Sequence, residues 1–393
     1  MSTTTPTAST IGTWVMETHL PVSFKIKNSP GIFDPANDDV LEFGSQGSER
    51  RRLVVIDRTI CQYYLQDILA YFKAKQVECH IVPIDATEDD KNLESLLVVL
   101  REMEKFGVLR RDEPVIAVGG GVLLDIAGMA AGLYRRGVPY IRVPTTLVGL
   151  VDASVGAKTG INFESRRNRL GSYYPPIAAY LDKGFLRTLA PLEITSGLGE
   201  ILKMAVVKDL ALFELLEGYG LELIDTRFIG CAVADEVINR AVSGMKDELQ
   251  ENLWEKNLER MVDFGHSFSP IIEMRSINDA GQVPLTHGQA VSLDVLFSCV
   301  ISQQRGLLSP QDVLRVGRTQ RRMQLPTDHA LFREPLVILE ALKDTMKHRN
   351  GDQNLPIPRA IGDSLFVNDL QFVEIKSAVA GLQAVNAQLD AAG

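Results

Sequence analysis

Three short stretches carry the side chains best able to bind a divalent cation: Gly197-Leu-Gly-Glu200-Ile-Leu-Lys203, Met-Val-Asp263-Phe-Gly-His266-Ser-Phe and Pro-Leu-Thr-His287-Gly-Gln-Ala-Val. One carboxylate and two imidazoles make three protein ligands and leave positions open for substrate oxygens on zinc or a similar ion. Ligands spread this widely are not recognised by spacing, and a histidine taken singly more often serves a core or a helix cap. Glu200, His266 and His287 are therefore a candidate set. Of the six histidines, these two lie next to a glycine within helix-rich text, twenty-one residues apart.

A second group could hold a nucleotide. The apolar run PVIAVGGG from Pro114 to Gly121 leads straight into the helix-like VLLDIAGMAA, which contains Asp125. Glycines there let the backbone approach a pyrophosphate, and a helix N-terminus offers unpaired N–H groups and partial positive charge. A tight strand-to-helix turn would use the same glycines. Strand-like VVID ends at Asp57, and Glu88 with Lys91 follows the next strand; an acid in such a place can accept hydrogen bonds from a ribose. Here the acid precedes the glycines, the reverse of the common fingerprint, so a variant nucleotide fold is expected.

The elements that must position these groups follow from periodicity. From Leu53 the text alternates LVVID, a helical stretch through Tyr71, CHIVPID, and a helix from about Asn92 to Phe106, the βαβα pattern of a parallel sheet flanked by helices. PVIAVGGG is apolar enough for the middle of that sheet. After about Ala190, stretches such as ILKMAVVKDLALFELLEGYG and GQAVSLDVLFSCVISQQRGLL repeat apolar residues at helical spacing. The second half is expected to be mainly helical.

Bulk properties exclude several classes. At 393 residues the chain needs two cores, and 45% hydrophobic residues can fill them. A net charge of −9 argues against a phosphate-backbone binder. Cys61, Cys79, Cys231 and Cys299 show no paired short spacing, which fits reduced thiols in a cytoplasmic protein. The opening MSTTTPTASTIGTW lacks the basic and apolar regions of a secretory signal, and no run of about 18 apolar residues follows. The expected organisation is a disordered tail over 1–20, an α/β domain over 21–190 and a helical domain over 191–393.

Over residues 50 to 365 the chain resembles the dehydroquinate synthase superfamily of sugar phosphate cyclases. The resemblance rests on GGGVLLDIAG, YRRGVPYIRVPTTLVGLVDASVGAKTGIN, RRNRLG, FLRTLAPLE, GLGEILK, DFGHSFSP and LTHGQAV, in the family order. It implies a Rossmann-like parallel-sheet domain with this early acid and late glycine turn, then an all-helical domain with the metal at their interface. It also implies NAD on Asp57, Glu88, Lys91, Gly120, Gly121, Asp125, Thr145, Thr146 and Thr188, and Zn2+ or Co2+ on Glu200, His266 and His287. Lys158 and Asn168 would hold a phosphate, helped by Arg136 from the other subunit of a homodimer. Asp152, Lys203 and Lys246 would meet sugar hydroxyls, and Lys347 with His348 would close on the phosphate. Outside these motifs, Arg135 and Arg136 read as surface charges, Lys246 as a solvated helix residue, and Thr145-Thr146 as a strand end.

Two departures bear on substrate. Dehydroquinate synthases show Asn-Phe-Gly-His with a second histidine four positions on, whereas this chain has Asp263 and Pro270. Proline transfers no proton. A carboxylate at Asp263 would repel a substrate carboxylate by about 1 kcal/mol even in a water-like dielectric, and would accept a hydrogen bond from a neutral hydroxymethyl group. With DELQENLWEKNLER and Tyr173-Tyr174-Pro175-Pro176, these departures resemble the 2-epi-5-epi-valiolone synthases, which cyclise sedoheptulose 7-phosphate by transient oxidation, phosphate loss, re-reduction and aldol closure. Cyclases giving 2-epi-valiolone or desmethyl-4-deoxygadusol, 3-dehydroquinate synthase, a metal-dependent alcohol or glycerol dehydrogenase, and an inactive binding protein are the alternatives. Gln289, where the family mostly has Glu, carries no consequence derivable from sequence.

Overall fold

In a computed structural model, residues 13–46, 50–164 and 166–391 are described. Residues 1–12 of the expected tail lie outside them, and 13–20 run without regular structure and exposed. Strands β1 (Lys25–Asn28), β2 (Arg51–Asp57), β3 (Glu78–Ile84), β4 (Val115–Gly119) and β5 (Tyr140–Pro144) alternate with helices α1 (Arg58–Ala74), α2 (Leu93–Phe106) and α3 (Gly121–Leu133). A hairpin of β6 (Lys158–Phe163) and β7 (Arg166–Tyr173) follows, then β8 (Ala178–Leu181).

The six-stranded sheet runs β1-β8-β5-β4-β2-β3 with every pair parallel. Parallel strands need covered faces, and two apolar clusters supply them. One packs Leu96, Val99, Leu124 and Ala127 against Val55, Val115 and Ala117; the other packs Ile68, Tyr71 and Phe72 against Val54, Ile116 and Ile141. Alternate residues of one strand thus serve opposite layers.

The helical half comprises α4 (Pro191–Lys208), α5 (Leu210–Asp225), α6 (Ala234–Glu251), α7 (Ser269–Asn278), α8 (His287–Gln304), α9 (Pro310–Arg322), α10 (Pro335–His348) and α11 (Phe372–Ala391). The continuous helical text from Ile201 to Gly220 is broken at Asp209, whose carboxylate accepts from Leu212 N and caps α5. The expected all-helical domain also contains an antiparallel hairpin, β9 (Leu355–Ala360) with β10 (Asp363–Val367). Among the described residues no helix is long and apolar enough to cross a membrane.

Helix α8 is buried all round from Gly288 to Ser302 except at Gln289, so its text lacks a polar face. It crosses α4 at a close backbone approach. A Cβ on Gly288 would stand 1.7 Å from Ser196 O, and one on Gly199 would stand 2.2 Å from Gly288 O. Glu200 and His287 are the chain neighbours of those two glycines, so the crossing brings a carboxylate and an imidazole together.

Candidate metal centre and nucleotide cleft

Glu200 Oε1 lies 3.0 Å from His287 Nε2 and 3.7 Å from His266 Nε2, and the two Nε2 atoms are 3.4 Å apart. The three side chains form a group able to hold one metal ion. Each is held by its element. Gly265, at φ 75°, turns the chain just before His266. The carboxylate of Asp294 in α8 then accepts from Phe268 N at 2.6 Å and Ser269 N at 2.9 Å, pinning the start of α7. Pro270 occupies the first turn of α7, where its missing N–H costs nothing.

His287 opens α8, fixed by a capping box in which Thr286 Oγ1 accepts from Gln289 N and Gln289 Oε1 accepts from Thr286 N. Glutamine serves this box as well as glutamate, which accounts for Gln289. Ring orientation is set on the far nitrogens: His266 Nδ1 lies 3.2 Å from Phe264 O, and His287 Nδ1 lies 3.0 Å from Glu273 Oε2. Such acceptors turn both Nε2 atoms inward.

The electrostatics centre on one buried carboxylate. Glu200 is 1% exposed; burial opposes its ionisation, yet Lys203, His266 and His287 hold it well below the carboxylate range. Burial lowers His287 too, but the Glu273 and Glu200 carboxylates outweigh it and hold the ring at about 10. Burial and the Lys203 charge push His266 down to about 3. Both Glu200 oxygens lack an aligned hydrogen bond among the described residues, although Lys203 Nζ stands 2.6 Å from Oε2. A divalent cation fits this donor set. The imidazoles are 24% and 33% exposed, so the centre opens on their side. Asp152 sits in a π-helical turn over Gly149–Ala153, and burial raises its carboxyl against the pull of Lys203.

The nucleotide candidates gather at the carboxyl edge of the sheet, where parallel α/β folds bind ligands. Asp57 ends β2 and caps α1 through Thr59 N at 2.7 Å; Gly120 precedes α3, Gly121 begins it, and Thr145-Thr146 follow β5. No side chain caps α3 among the described residues, which leaves its first N–H groups facing the cleft. A Cβ on Gly120 would come within 2.9 Å of Thr146 Cγ2, closing the space a pyrophosphate needs. Thr145 Oγ1 is buried without a partner among the described residues. Lys91 Nζ pairs with Asp125 Oδ2 and donates to Asn168 Oδ1, both at 2.6 Å. Thr188 Oγ1 lies 3.1 Å from Tyr64 Oη. This cradle fits a dinucleotide.

A third cluster adjoins the metal group. Asp263 receives Arg260 Nη2 at 2.7 Å and Arg349 Nη2 at 3.3 Å. Glu255 pairs with both Lys158 and Arg260, and accepts from Tyr173 Oη at 3.1 Å. Asp263 is therefore a paired carboxylate: burial opposes its charge, and Arg260 and Arg349 keep it ionised nonetheless. The pairing weakens the repulsion that a carboxylate at Asp263 would exert on a substrate carboxylate. The guanidiniums that could have gripped such a carboxylate are already engaged.

Some candidates stand apart. Lys246, half-exposed on α6, meets Asp247 at 3.0 Å. Lys347 and His348 are exposed and face Asp344, at 3.3 Å and 3.8 Å. It is the next residue, Arg349, that turns inward, because the end of α10 buries one further position. Arg136 is exposed, and both it and Arg135 adopt left-handed backbone, at φ 61° and 50°. Sequence reasoning missed Glu255, Arg260, Arg349, Glu273 and Arg167. Arg167 lay within RRNRLG, and Glu255 and Arg260 within DELQENLWEKNLER, but nothing local set them apart from solvated charges.

The family models for the 3-dehydroquinate synthase N-terminal and C-terminal parts match residues 81–196 and 197–349. The chain is 46% identical to a 2-epi-5-epi-valiolone synthase of Streptomyces hygroscopicus subsp. jinggangensis, over 93% of this chain and 88% of that one. It is 43% identical to another from Actinomyces sp., over 94% and 97%. Among solved structures it matches ValA, the 2-epi-5-epi-valiolone synthase of the same Streptomyces with NAD+ and Zn2+ bound, at a TM-score of 0.88 and 44% identity over 94% and 99% of the two chains.

Proposed function

The chain belongs to the dehydroquinate synthase family, and from that premise we propose that it is a sugar phosphate cyclase of the 2-epi-5-epi-valiolone synthase type, converting sedoheptulose 7-phosphate to the cyclitol with release of phosphate. The observation that carries this reading is the pairing of Asp263 with Arg260 and Arg349, three residues before His266. It leaves a carboxylate acceptor and engaged cations where a dehydroquinate synthase must hold a substrate carboxylate. A neutral hydroxymethyl end suits that environment.

Glu200, His266 and His287 would hold Zn2+ or Co2+, and the cleft from Asp57 to Thr188 would hold NAD. Together these groups supply Lewis-acid polarisation of a hydroxyl oxygen and a reversible oxidant for its carbon. The chain's own residues do the rest. Half-buried Asp152 and Lys203, buried beside Glu200, orient the sugar hydroxyls. Lys158 and Asn168 hold the phosphate and stabilise its charge as it leaves, through charge-assisted hydrogen bonds. A second copy of the chain would add its Arg136, whose exposure and left-handed backbone suit an outward reach. Pro270 offers no proton acceptor, so the departing phosphate itself takes the proton next to the oxidised carbon. The carbon would regain the hydride it gave up before the ring opens, so that no net redox change remains, and closure is then an aldol step.

The test is incubation with sedoheptulose 7-phosphate, NAD+ and Zn2+ or Co2+, followed by phosphate assay, absorbance at the NADH band and NMR of the product. One phosphate per cyclitol with no net NADH is expected. Accumulating NADH without phosphate would make the protein a dehydrogenase.

A further inference from the structure

We propose that Arg167 is a positioning residue that couples occupancy of the nucleotide cleft to cation affinity at the metal centre, through the chain Glu88, Arg167, Glu273, His287. The proposal rests on the reading above of where the nucleotide and the cation bind. Its geometry is continuous. Arg167 Nε donates to Glu88 Oε1 at 2.9 Å, and Arg167 Nη1 lies 2.5 Å from Glu273 Oε1. Glu273 Oε2 in turn lies 3.0 Å from His287 Nδ1, and His287 Nε2 faces Glu200.

Each link stands on a different element. Glu88 follows β3 in the sheet half, Arg167 is on the β6–β7 hairpin, Glu273 is on α7, and His287 begins α8. The guanidinium touches both halves, and its planar fork serves two carboxylates at once. Glu273 is nearly buried, so its orientation depends on Arg167 on one oxygen and on His287 on the other.

Glu88 is the movable end. Its Oε1 is shared between Arg167 and Asn162 Nδ2, at 2.9 Å and 2.8 Å, and the side chain is a third exposed to the cleft. A nucleotide that fixes Glu88 also fixes the Arg167 fork. That in turn holds Glu273, and with it the His287 ring, in the ligating orientation. A preorganised ligand loses less freedom when the cation arrives. Linkage makes the effect reciprocal: cation binding must tighten the nucleotide by the same factor.

The experiment measures Zn2+ affinity of the full-length, metal-stripped protein by competition with a chromophoric chelator, without NAD+ and at saturating NAD+. NAD+ should tighten Zn2+ by about fivefold or more in the parent. In Arg167→Gln and in Arg167→Lys, which cannot bridge two carboxylates, both ligands should still bind but the ratio should fall to within about twofold of one. A purely structural role would weaken Zn2+ equally with and without NAD+, leaving the ratio intact, and would overturn the proposal. A parent ratio near one would overturn it too while sparing the assigned sites. Failure of the parent to bind either ligand would remove both readings together.

Discussion

The His287 ring is held between two carboxylates, with Glu273 Oε2 3.0 Å from Nδ1 and Glu200 Oε1 3.0 Å from Nε2. Nδ1 is thereby committed to orientation and Nε2 to the metal centre. Glu273→Gln keeps the shape but weakens the acceptor. Zn2+ affinity should fall by roughly 10- to 100-fold with the fold intact, read by chelator competition alongside circular dichroism.

Lys158 stands at the mouth of the site, paired with Glu255. Its amine is assigned to a phosphate that gains charge as it leaves. Lys158→Ala should lower kcat/KM by about 10²- to 10³-fold, while NAD+ affinity, measured by fluorescence titration, changes less than about twofold. Phosphate release at the parent rate would remove Lys158 from the reaction.

Arg349 is buried, donating to Gln353 O at 2.6 Å and Asn354 O at 3.2 Å as well as meeting Asp263. Arg349→Met leaves Asp263 with Arg260 alone and leaves the carbonyls of Gln353 and Asn354 without their donor. Urea denaturation should show a loss of about 1–3 kcal/mol. The exposed neighbours behave otherwise: Lys347→Ala and His348→Ala should each stay within about 0.5 kcal/mol of the parent.

At the α4–α8 crossing a methyl group has no room. Gly288→Ala would force Ser196 O away, so the variant should lose about 3 kcal/mol or more and bind Zn2+ poorly. Gly218→Ala on α5, with nothing within 4 Å, should instead be neutral or stabilising. Thermal melts and metal titration of the two variants compare the sites directly.

Asp294 is fully buried, and burial raises its carboxyl to about 6 from 3.8 despite the N–H groups of Phe268 and Ser269. The folded protein therefore holds this proton more tightly than the unfolded chain. The resulting stabilisation is complete below about 3.8 and is lost as pH rises through about 6. Asp294→Asn carries no such proton, so the stability difference between parent and variant should shift towards the parent between pH 6.5 and 4.5. A pH-independent difference in urea melts would show that the carboxyl titrates normally.

How much of this was legible depended on how local the cause is. The strands around Asp57 and Gly119 and the helices α1 and α2 follow from apolar periodicity, a property of neighbouring residues. Glu200, His266 and His287 were legible because each adjoins a glycine that its element requires. Lys158, Glu255, Arg260 and Arg349 were not legible as a cluster, since a charged residue on a loop or helix end reads as solvated until a partner from elsewhere is placed beside it. The same blindness hid the pairing of Asp263 and gave no sign that Arg349, unlike Lys347 and His348, turns inward. In the helical half the β9–β10 hairpin went unseen because both strands are short and β9 carries two prolines.

The amino-acid order alone thus determined the parallel sheet, the helix-rich second half, the three candidate ligands and the family. Tertiary structure decided which charges meet: that Arg260 and Arg349 neutralise Asp263, that Arg167 spans Glu88 and Glu273, and that Lys246 faces Asp247. Periodicity records which face of an element turns inward. An ion pair between groups distant in sequence depends instead on a few ångströms of packing, which no local pattern encodes.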